Sequence, residues 1–301
     1  MTILRTPDAA FADIADYPFA PHWSQLVDPG LGALRMHHLD EGRTEAPVVL
    51  LLHGEPSWSY LYRRMIPILV AAGYRCLAPD LVGFGKSDKP GAVGDYSYTR
   101  HVRWLSDWFL ARDVRDVTLF CQDWGGLLGL RLVAAFPDRF ARVMASNTFL
   151  PTGDVPISDA FLRWRAYSQS VASFSAGGII QCGTARGITP AVRAAYDAPF
   201  PDESFKAGAR AFPTLVPTRP DDPESAANSA AWQVLEGWTR PFLTAFGDSD
   251  AVMAGSDAEF QRRIPGAKGC KHATIARAGH FSQEDASEEL ADLLIQFVAS
   301  A

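Results

Sequence analysis

An acidic side chain stands where an apolar stretch of the sequence gives way to two glycines. Asp123 follows the largely apolar residues 119–122 and precedes Trp124, Gly125 and Gly126. This pattern is typical of a nucleophile elbow, a sharp strand-to-helix turn that exposes its central side chain and needs small neighbours. A carboxylate is already ionised at neutral pH, so Asp123 would attack a carbon atom without a base to activate it. The alternative is an ordinary helix N-cap, where aspartate is common.

A histidine and two aspartates follow later in the chain. His280 lies between a short apolar stretch and the last amphipathic segment, in a loop of the kind that commonly carries function. Asp250 and Asp248 follow another apolar stretch, residues 241–247. The order nucleophile, acid, histidine matches one of the three known chain orders of catalytic triads. Asp250 is the candidate acid partner of His280 and Asp248 its competitor, and either is also a common turn residue.

A fourth element is the sequence His-Gly-Glu-Pro at residues 53–56, directly after an apolar run. In a nucleophile-elbow enzyme, the backbone N–H of Glu55 and that of Trp124 would point together at an oxyanion. The alternative is a simple turn, for which glycine and proline at a strand end are sufficient.

The elements that must position these residues alternate along the chain. Short apolar runs alternate with longer amphipathic segments, which predicts a parallel sheet with helices on both faces. Several runs are continuously apolar, as expected for strands covered on both sides. The predicted strands are 35–39, 48–53, 75–79, 117–122, 141–147, 241–247 and 272–276. The predicted helices are 61–71, 99–111, 125–136, 256–263 and 285–299.

The strand pattern stops between residues 151 and 240, where Pro, Gly and aromatic residues occur in short helical stretches such as 159–173. We predict that residues 1–150 and 241–301 form the core domain and that 151–240 form a helical cap. Because the cap leaves the sheet after one strand and returns before the next, it should cover the carboxyl ends of the strands, where open sheets bind ligands. The alternative is a helical pair that only thickens the fold.

Composition excludes several classes of protein. The chain has 301 residues, 48% of them hydrophobic, and a formal net charge of −6, which provides no basic field for nucleic acid or anionic lipid. Its four cysteines are too far apart in sequence for a zinc clip or a small disulfide framework. No secretory signal and no run of about 20 apolar residues is present. We therefore expect a cytoplasmic protein that binds neither nucleic acid nor membrane. The cysteines are Cys76, Cys121, Cys182 and Cys270.

The sequence resembles the haloalkane dehalogenases of the α/β-hydrolase fold, specifically the subfamily that carries His-Gly-Glu-Pro. The resemblance covers nearly the whole chain and is most specific in residues 53–62, 78–90 and 122–125. It implies an α/β-hydrolase fold, with a mostly parallel central sheet flanked by helices and a helical cap insertion. It also implies hydrolysis of haloalkanes to an alcohol, a halide and a proton.

By this resemblance Asp123 is the nucleophile, His280 the base and Asp250 the acid that orients it. Asp123 would displace halide in line and form an alkyl ester, which water activated by His280 would then hydrolyse. Glu55 and Trp124 would supply the oxyanion-binding backbone N–H groups. The halide would be bound by the indole N–H groups of Trp124 and, from the cap, Trp164. The implied partners are a small halogenated alkane, water and the halide product, without a metal or other cofactor, and we expect a monomer.

Two rival functions remain from the sequence. An epoxide hydrolase shares the fold and the aspartate nucleophile, but would need phenolic O–H groups in the cap, for which Tyr167 and Tyr196 are available. A non-catalytic ligand-binding relative would normally have lost part of the catalytic set, whereas Asp123, Asp250 and His280 are all present.

Overall fold

An eight-stranded sheet forms the centre of the protein in a computed structural model that describes residues 2–300. In chain order its strands are β1 (His22–Asp28), β2 (Gly32–Glu41), β3 (Val48–Leu52), β4 (Arg75–Pro79), β5 (Val117–Gln122), β6 (Phe140–Ser146), β7 (Phe242–Gly247) and β8 (Ala273–Ile275). Their spatial order is β8-β7-β6-β5-β3-β4-β2-β1. The strands β1 and β2 pair antiparallel with their neighbours, and all other pairings are parallel.

Eleven α-helices surround this sheet within residues 2–300, and none of them is long and apolar enough to cross a membrane. Those outside residues 151–240 are α1 (Met65–Ala71), α2 (Tyr98–Leu110), α3 (Trp124–Ala135), α9 (Ser256–Arg263), α10 (Ser282–Asp285) and α11 (Ser287–Ala299). Those inside that segment are α4 (Asp159–Ser170), α5 (Ala176–Gly183), α6 (Pro190–Asp197), α7 (Ala207–Leu215) and α8 (Ser225–Leu235).

The two faces of the sheet are covered by separate hydrophobic clusters. Leu50 and Leu52 of β3 pack into the cluster that includes residues of α2, α3 and α8. Val49 and Leu51 of the same strand pack into the cluster with residues of α1 and α11. Successive side chains of a strand point to opposite faces, so a strand buried on both sides must be apolar throughout. This explains why β3 and β5 are continuous apolar or buried runs and why the sequence predicts them well.

All seven predicted strands lie in this sheet, with ends within three residues of those observed. The strand β1 is not among the predicted strands, because it is an edge strand with mostly exposed side chains and no apolar run. The helix predicted over 61–71 begins only at Met65, because Pro67 lacks an N–H and its ring disfavours helix in the preceding turn. The helix predicted over 285–299 is interrupted at Ala286, where φ is −145° and ψ is 44°.

Residues 151–240, all of which the structure describes, contain the five helices α4 to α8 and no strand. The chain enters this segment after β6 and returns to the sheet at β7. The segment therefore starts from the carboxyl end of β6. Because β3, β5 and β6 are parallel, all three strands end at this edge of the sheet.

Candidate active site

The turn between β5 and α3 holds Asp123 in a strained conformation. Its φ is 50° and its ψ is −125°, a region that residues other than glycine rarely adopt. The neighbours leave no room for side chains. A Cβ on Gly54 would lie 2.3 Å from Cβ of Asp123, one on Gly125 would lie 2.0 Å from the carbonyl oxygen of Leu52, and one on Gly126 would lie 2.0 Å from a side-chain oxygen. The small residues of the predicted elbow are therefore sterically required.

The carboxylate of Asp123 contacts two other predicted site residues. The backbone N–H of Glu55 donates to its Oδ1 over 2.7 Å. Nε2 of His280 lies 3.4 Å from its Oδ2. Trp124 is the first residue of α3, so its own N–H has no acceptor within the helix and lies at the positive end of the helix dipole. These groups surround a carboxylate at the carboxyl edge of the sheet.

The second nitrogen of His280 meets Asp250. Nδ1 of His280 lies 2.8 Å from Oδ2 of Asp250, a buried carboxylate that also accepts the N–H of Val252 over 2.8 Å. Asp248 is exposed and accepts a hydrogen bond from Ser249 instead. Of the two aspartates that the sequence leaves as alternatives, the structure brings Asp250 to the histidine.

Neighbouring charges shift the pKa values of His280 and Asp250. Burial lowers the pKa of His280, but Asp250 and Asp123 more than offset this and raise it to about 10. Burial raises the pKa of Asp250, whereas the charge and hydrogen bond of His280 and the hydrogen bond from Asn147 lower it to about 2. The two carboxylates therefore favour the protonated form of His280 at neutral pH.

A cavity of about 1020 Å³ opens above Asp123. Its wall combines residues of the sheet edge with residues of the 151–240 segment, and most of it is apolar. Trp124 lines it from below, with its ring stacked on Phe212 at 4.3 Å between centroids. Trp164 of α4 also lines it and packs against Phe174. The two tryptophans predicted to bind an anion thus face one cavity together with Asp123 and His280.

The side chain of Glu55 is a feature that the sequence does not reveal. The sequence pattern indicates a role only for its backbone, yet its carboxyl group is buried and the residue lines the cavity. Oε1 has no hydrogen-bond partner among residues 2–300. Burial and the nearby charge of Asp123 raise its pKa well above the ordinary value, which favours the protonated acid. This shift has no local sequence signal, because it depends first on burial in the folded protein and then on the charge of Asp123, 68 residues away.

The phenols that an epoxide hydrolase would need are not both in this cavity. Tyr167 lines it and is partly exposed. Tyr196 is fully buried outside the cavity wall, and its hydroxyl donates to Glu284. Within residues 2–300 there is also no cluster of three or more His, Cys, Asp or Glu side chains arranged to hold a metal ion.

The fold and this arrangement define a class of protein. The family described as alpha/beta hydrolase fold matches residues 47–287. The sheet topology and the strained turn after β5 agree with that match, so the protein is an α/β hydrolase whose elbow residue is an aspartate.

Comparison with known proteins identifies the family within this class. The chain is 57% identical over 298 residues to a haloalkane dehalogenase of Psychrobacter cryohalolentis, covering 99% of this chain and 98% of the relative. It is 51% identical to a haloalkane dehalogenase of Mycobacterium marinum, covering 99% and 100%. A tetrameric haloalkane dehalogenase structure from Paraglaciecola agarilytica superimposes with a TM-score of 0.91 at 34% identity, covering 100% of this chain and 99% of that one. The chain belongs to the haloalkane dehalogenase family.

Proposed function

We propose that this chain hydrolyses haloalkanes to an alcohol, a halide and a proton through a covalent ester on Asp123. As a member of its family it is a hydrolase acting on carbon–halogen bonds. The single observation that carries the mechanism is the position of Asp123, which faces an apolar cavity with its Oδ2 3.4 Å from Nε2 of His280.

In the first step a carboxylate oxygen of Asp123 attacks the halogen-bearing carbon in line. The carbon–oxygen bond forms as the carbon–halogen bond breaks, and the halide leaves with the bonding electrons. The indole N–H groups of Trp124 and Trp164, both in the cavity wall, would donate to this anion. Such bonds are stronger in an apolar cavity than in water, because fewer water dipoles compete for the charge.

In the second step water hydrolyses the ester. Ester formation removes the negative charge of Asp123, which is one cause of the raised pKa of His280. The pKa of His280 then falls, so the ring releases its proton to solvent and becomes a base. It takes a proton from water, and the hydroxide attacks the carboxyl carbon of Asp123. The oxyanion accepts hydrogen bonds from the backbone N–H groups of Glu55 and Trp124, each worth about 3 kcal/mol. It then collapses, the bond from the carboxyl carbon to the alkyl oxygen breaks, and the leaving alkoxide takes the proton from His280 and departs as the alcohol. The carboxylic acid of Asp123 passes its own proton to His280, which restores the starting state.

The decisive experiment blocks only the second step. In a His280→Phe variant Asp123 is still an ionised nucleophile, so each enzyme molecule should release one bromide from 1-bromobutane and then stop. Mass spectrometry of the intact protein should show one added butyl group. An Asp123→Asn variant should release no bromide and carry no adduct. Absence of both bromide and adduct in His280→Phe would overturn the mechanism.

The segment 151–240 acts as the cap in this proposal, since it supplies Trp164 and much of the cavity wall.

One chain contains every group that the two steps use, so a monomer is sufficient for the proposed activity. A monomer is the state that we expect, and light scattering of the purified protein tests it. The Paraglaciecola agarilytica relative is described as tetrameric. A cytoplasmic location remains our expectation from the sequence, to be tested by cell fractionation.

A further inference from the structure

A buried carboxylate that takes no part in the two proposed chemical steps joins two distant parts of the chain. Asp285, the last residue of α10, is only 5% exposed. Its Oδ2 accepts the backbone N–H of Gly279 over 2.8 Å and that of Ala185 over 2.9 Å. Its Oδ1 accepts the backbone N–H of Arg186 over 2.7 Å. All three donors are backbone amides, and a carboxylate can satisfy them at once because it offers about four acceptor sites.

These amides belong to two segments that meet at the edge of the active site. Gly279 directly precedes His280, whereas Ala185 and Arg186 follow α5 in the 151–240 segment. The same two segments are joined by a second bond, from the N–H of Phe281 to the carbonyl of Gly183 over 3.3 Å. They are also packed closely. A Cβ on Gly279 would lie 2.3 Å from that carbonyl oxygen.

We propose that Asp285 is a positioning residue that holds the loop of His280 in place by binding it to residues 183–186 of the cap. This inference rests on the proposed function, because that function gives His280 the role of the base. The ring of His280 is oriented by Asp250, but Asp250 does not hold the backbone of the loop. The backbone is held by Gln122, which donates to the carbonyl of His280 over 3.0 Å, by the N–H of Ser249, which donates to the carbonyl of Ala278 over 2.9 Å, and by the junction through Asp285.

Loss of this junction should affect the two chemical steps differently. The attack by Asp123 does not involve His280, so release of the first halide should be unaffected. Hydrolysis of the ester requires Nε2 of His280 to lie within reach of a water beside Asp123, and a misplacement of about 1 Å can cost about 100-fold in rate. The junction therefore contributes to the second step alone.

The test is an Asp285→Asn variant, measured in single-turnover experiments with 1-bromobutane. The neutral amide replaces one of the two acceptor oxygens by a donor, so at least one of the three amide bonds is lost. We expect bromide release in the first turnover within two-fold of wild type, at least a ten-fold slower decay of the butyl ester by mass spectrometry, and an equal fall in kcat.

A matched control is Asp28→Asn. Asp28 is also a buried carboxylate that accepts two backbone amides, those of Gly30 and Leu31, but it lies at the end of the edge strand β1. This variant should lose stability without slowing decay of the ester. Gly279→Ala perturbs the same junction from the other side and should reproduce the Asp285→Asn phenotype, which also covers the case in which Asp285→Asn does not fold.

Two results would overturn the proposal. One is ester decay at the wild-type rate in folded Asp285→Asn or Gly279→Ala enzyme. The other is equal slowing in Asp28→Asn, which would show a general effect of lost stability. The His280→Phe variant separates this failure from that of the proposed function. If His280→Phe accumulates the butyl ester while the junction variants behave like wild type, the mechanism holds and only the role of Asp285 is wrong.

Discussion

Asn147 donates from Nδ2 to Oδ2 of Asp250 over 2.9 Å, the same oxygen that contacts His280. Asn147 has a φ of 43° and follows β6. Its Oδ1 accepts the N–H of Gly247 over 3.1 Å, and its backbone carbonyl accepts the N–H of Asp123 over 3.1 Å. One buried amide residue thus joins the carboxyl ends of three neighbouring strands, β5, β6 and β7, and fixes the distance between the proposed nucleophile and the proposed acid.

Asp250→Asn should slow hydrolysis of the ester while sparing release of the first halide. An amide in this position cannot stabilise the imidazolium and favours the wrong ring tautomer, for which losses of about 10⁴-fold are known in a serine triad. Rapid-quench measurement of bromide release, with mass spectrometry of the ester, separates the two steps. Asp248→Asn is the control, since Asp248 is exposed and bonds to Ser249. Equal slowing in both variants would contradict the assignment of the acid.

Trp164→Phe should weaken halide binding. The substitution removes one N–H donor to an anion, worth about 1.5–3 kcal/mol, so the Kd for bromide should rise by roughly 10- to 100-fold. Product inhibition by added bromide provides the measurement. Trp238→Phe is a suitable control, because Trp238 is buried, has an unpartnered Nε1 within residues 2–300, and does not line the cavity. An unchanged Kd in Trp164→Phe would show that a residue other than Trp164 donates the second hydrogen bond to the halide.

Gly125→Ala should destabilise the protein and reduce halide release. The new Cβ would lie 2.0 Å from the carbonyl oxygen of Leu52, so the elbow must shift away from β3. Such overpacking typically costs about 1–3 kcal/mol in the free energy of unfolding, which urea denaturation measures. Gly94→Ala adds the same methyl group where nothing lies within 4 Å and should stay within about 0.5 kcal/mol of wild type. Equal stabilities of the two variants would contradict the steric argument.

The contribution of His280 to stability should depend on pH. Its pKa is about 10 in the folded protein and near 6.5 in the unfolded chain, so the folded state holds its proton more tightly. The stabilisation from its ion pairs is fully present below pH 6.5 and is lost as the pH rises towards 10. The difference in unfolding free energy between wild type and His280→Gln should therefore shrink over that window. A difference that stays constant from pH 6 to pH 10 would show that Asp123 and Asp250 do not raise this pKa.

Much of the fold could be predicted because its determinants are local. The strands β3 and β5 are apolar on both faces, and the Asp-Trp-Gly-Gly run after β5 requires a tight turn for steric reasons alone. The edge strand β1 could not be predicted, since it is paired on one side and mostly exposed. Its residues are held in the sheet by hydrogen bonds to β2, which leave little trace in its hydrophobic pattern.

The amino-acid sequence alone determined the family, the order along the chain of seven of the eight strands in the central sheet, and the candidate pair Asp123 and His280, because each depends on short patterns of residue type. Tertiary structure decided which of two aspartates meets the histidine, that the carboxyl group of Glu55 lies unpartnered in the cavity, and that Asp285 binds the loop before His280. His280 lies 30 positions from Asp250, and Asp285 binds Gly279 together with Ala185, which is 100 positions away. The direction of a side chain across such a distance is set by the packing of whole elements, which no local pattern encodes.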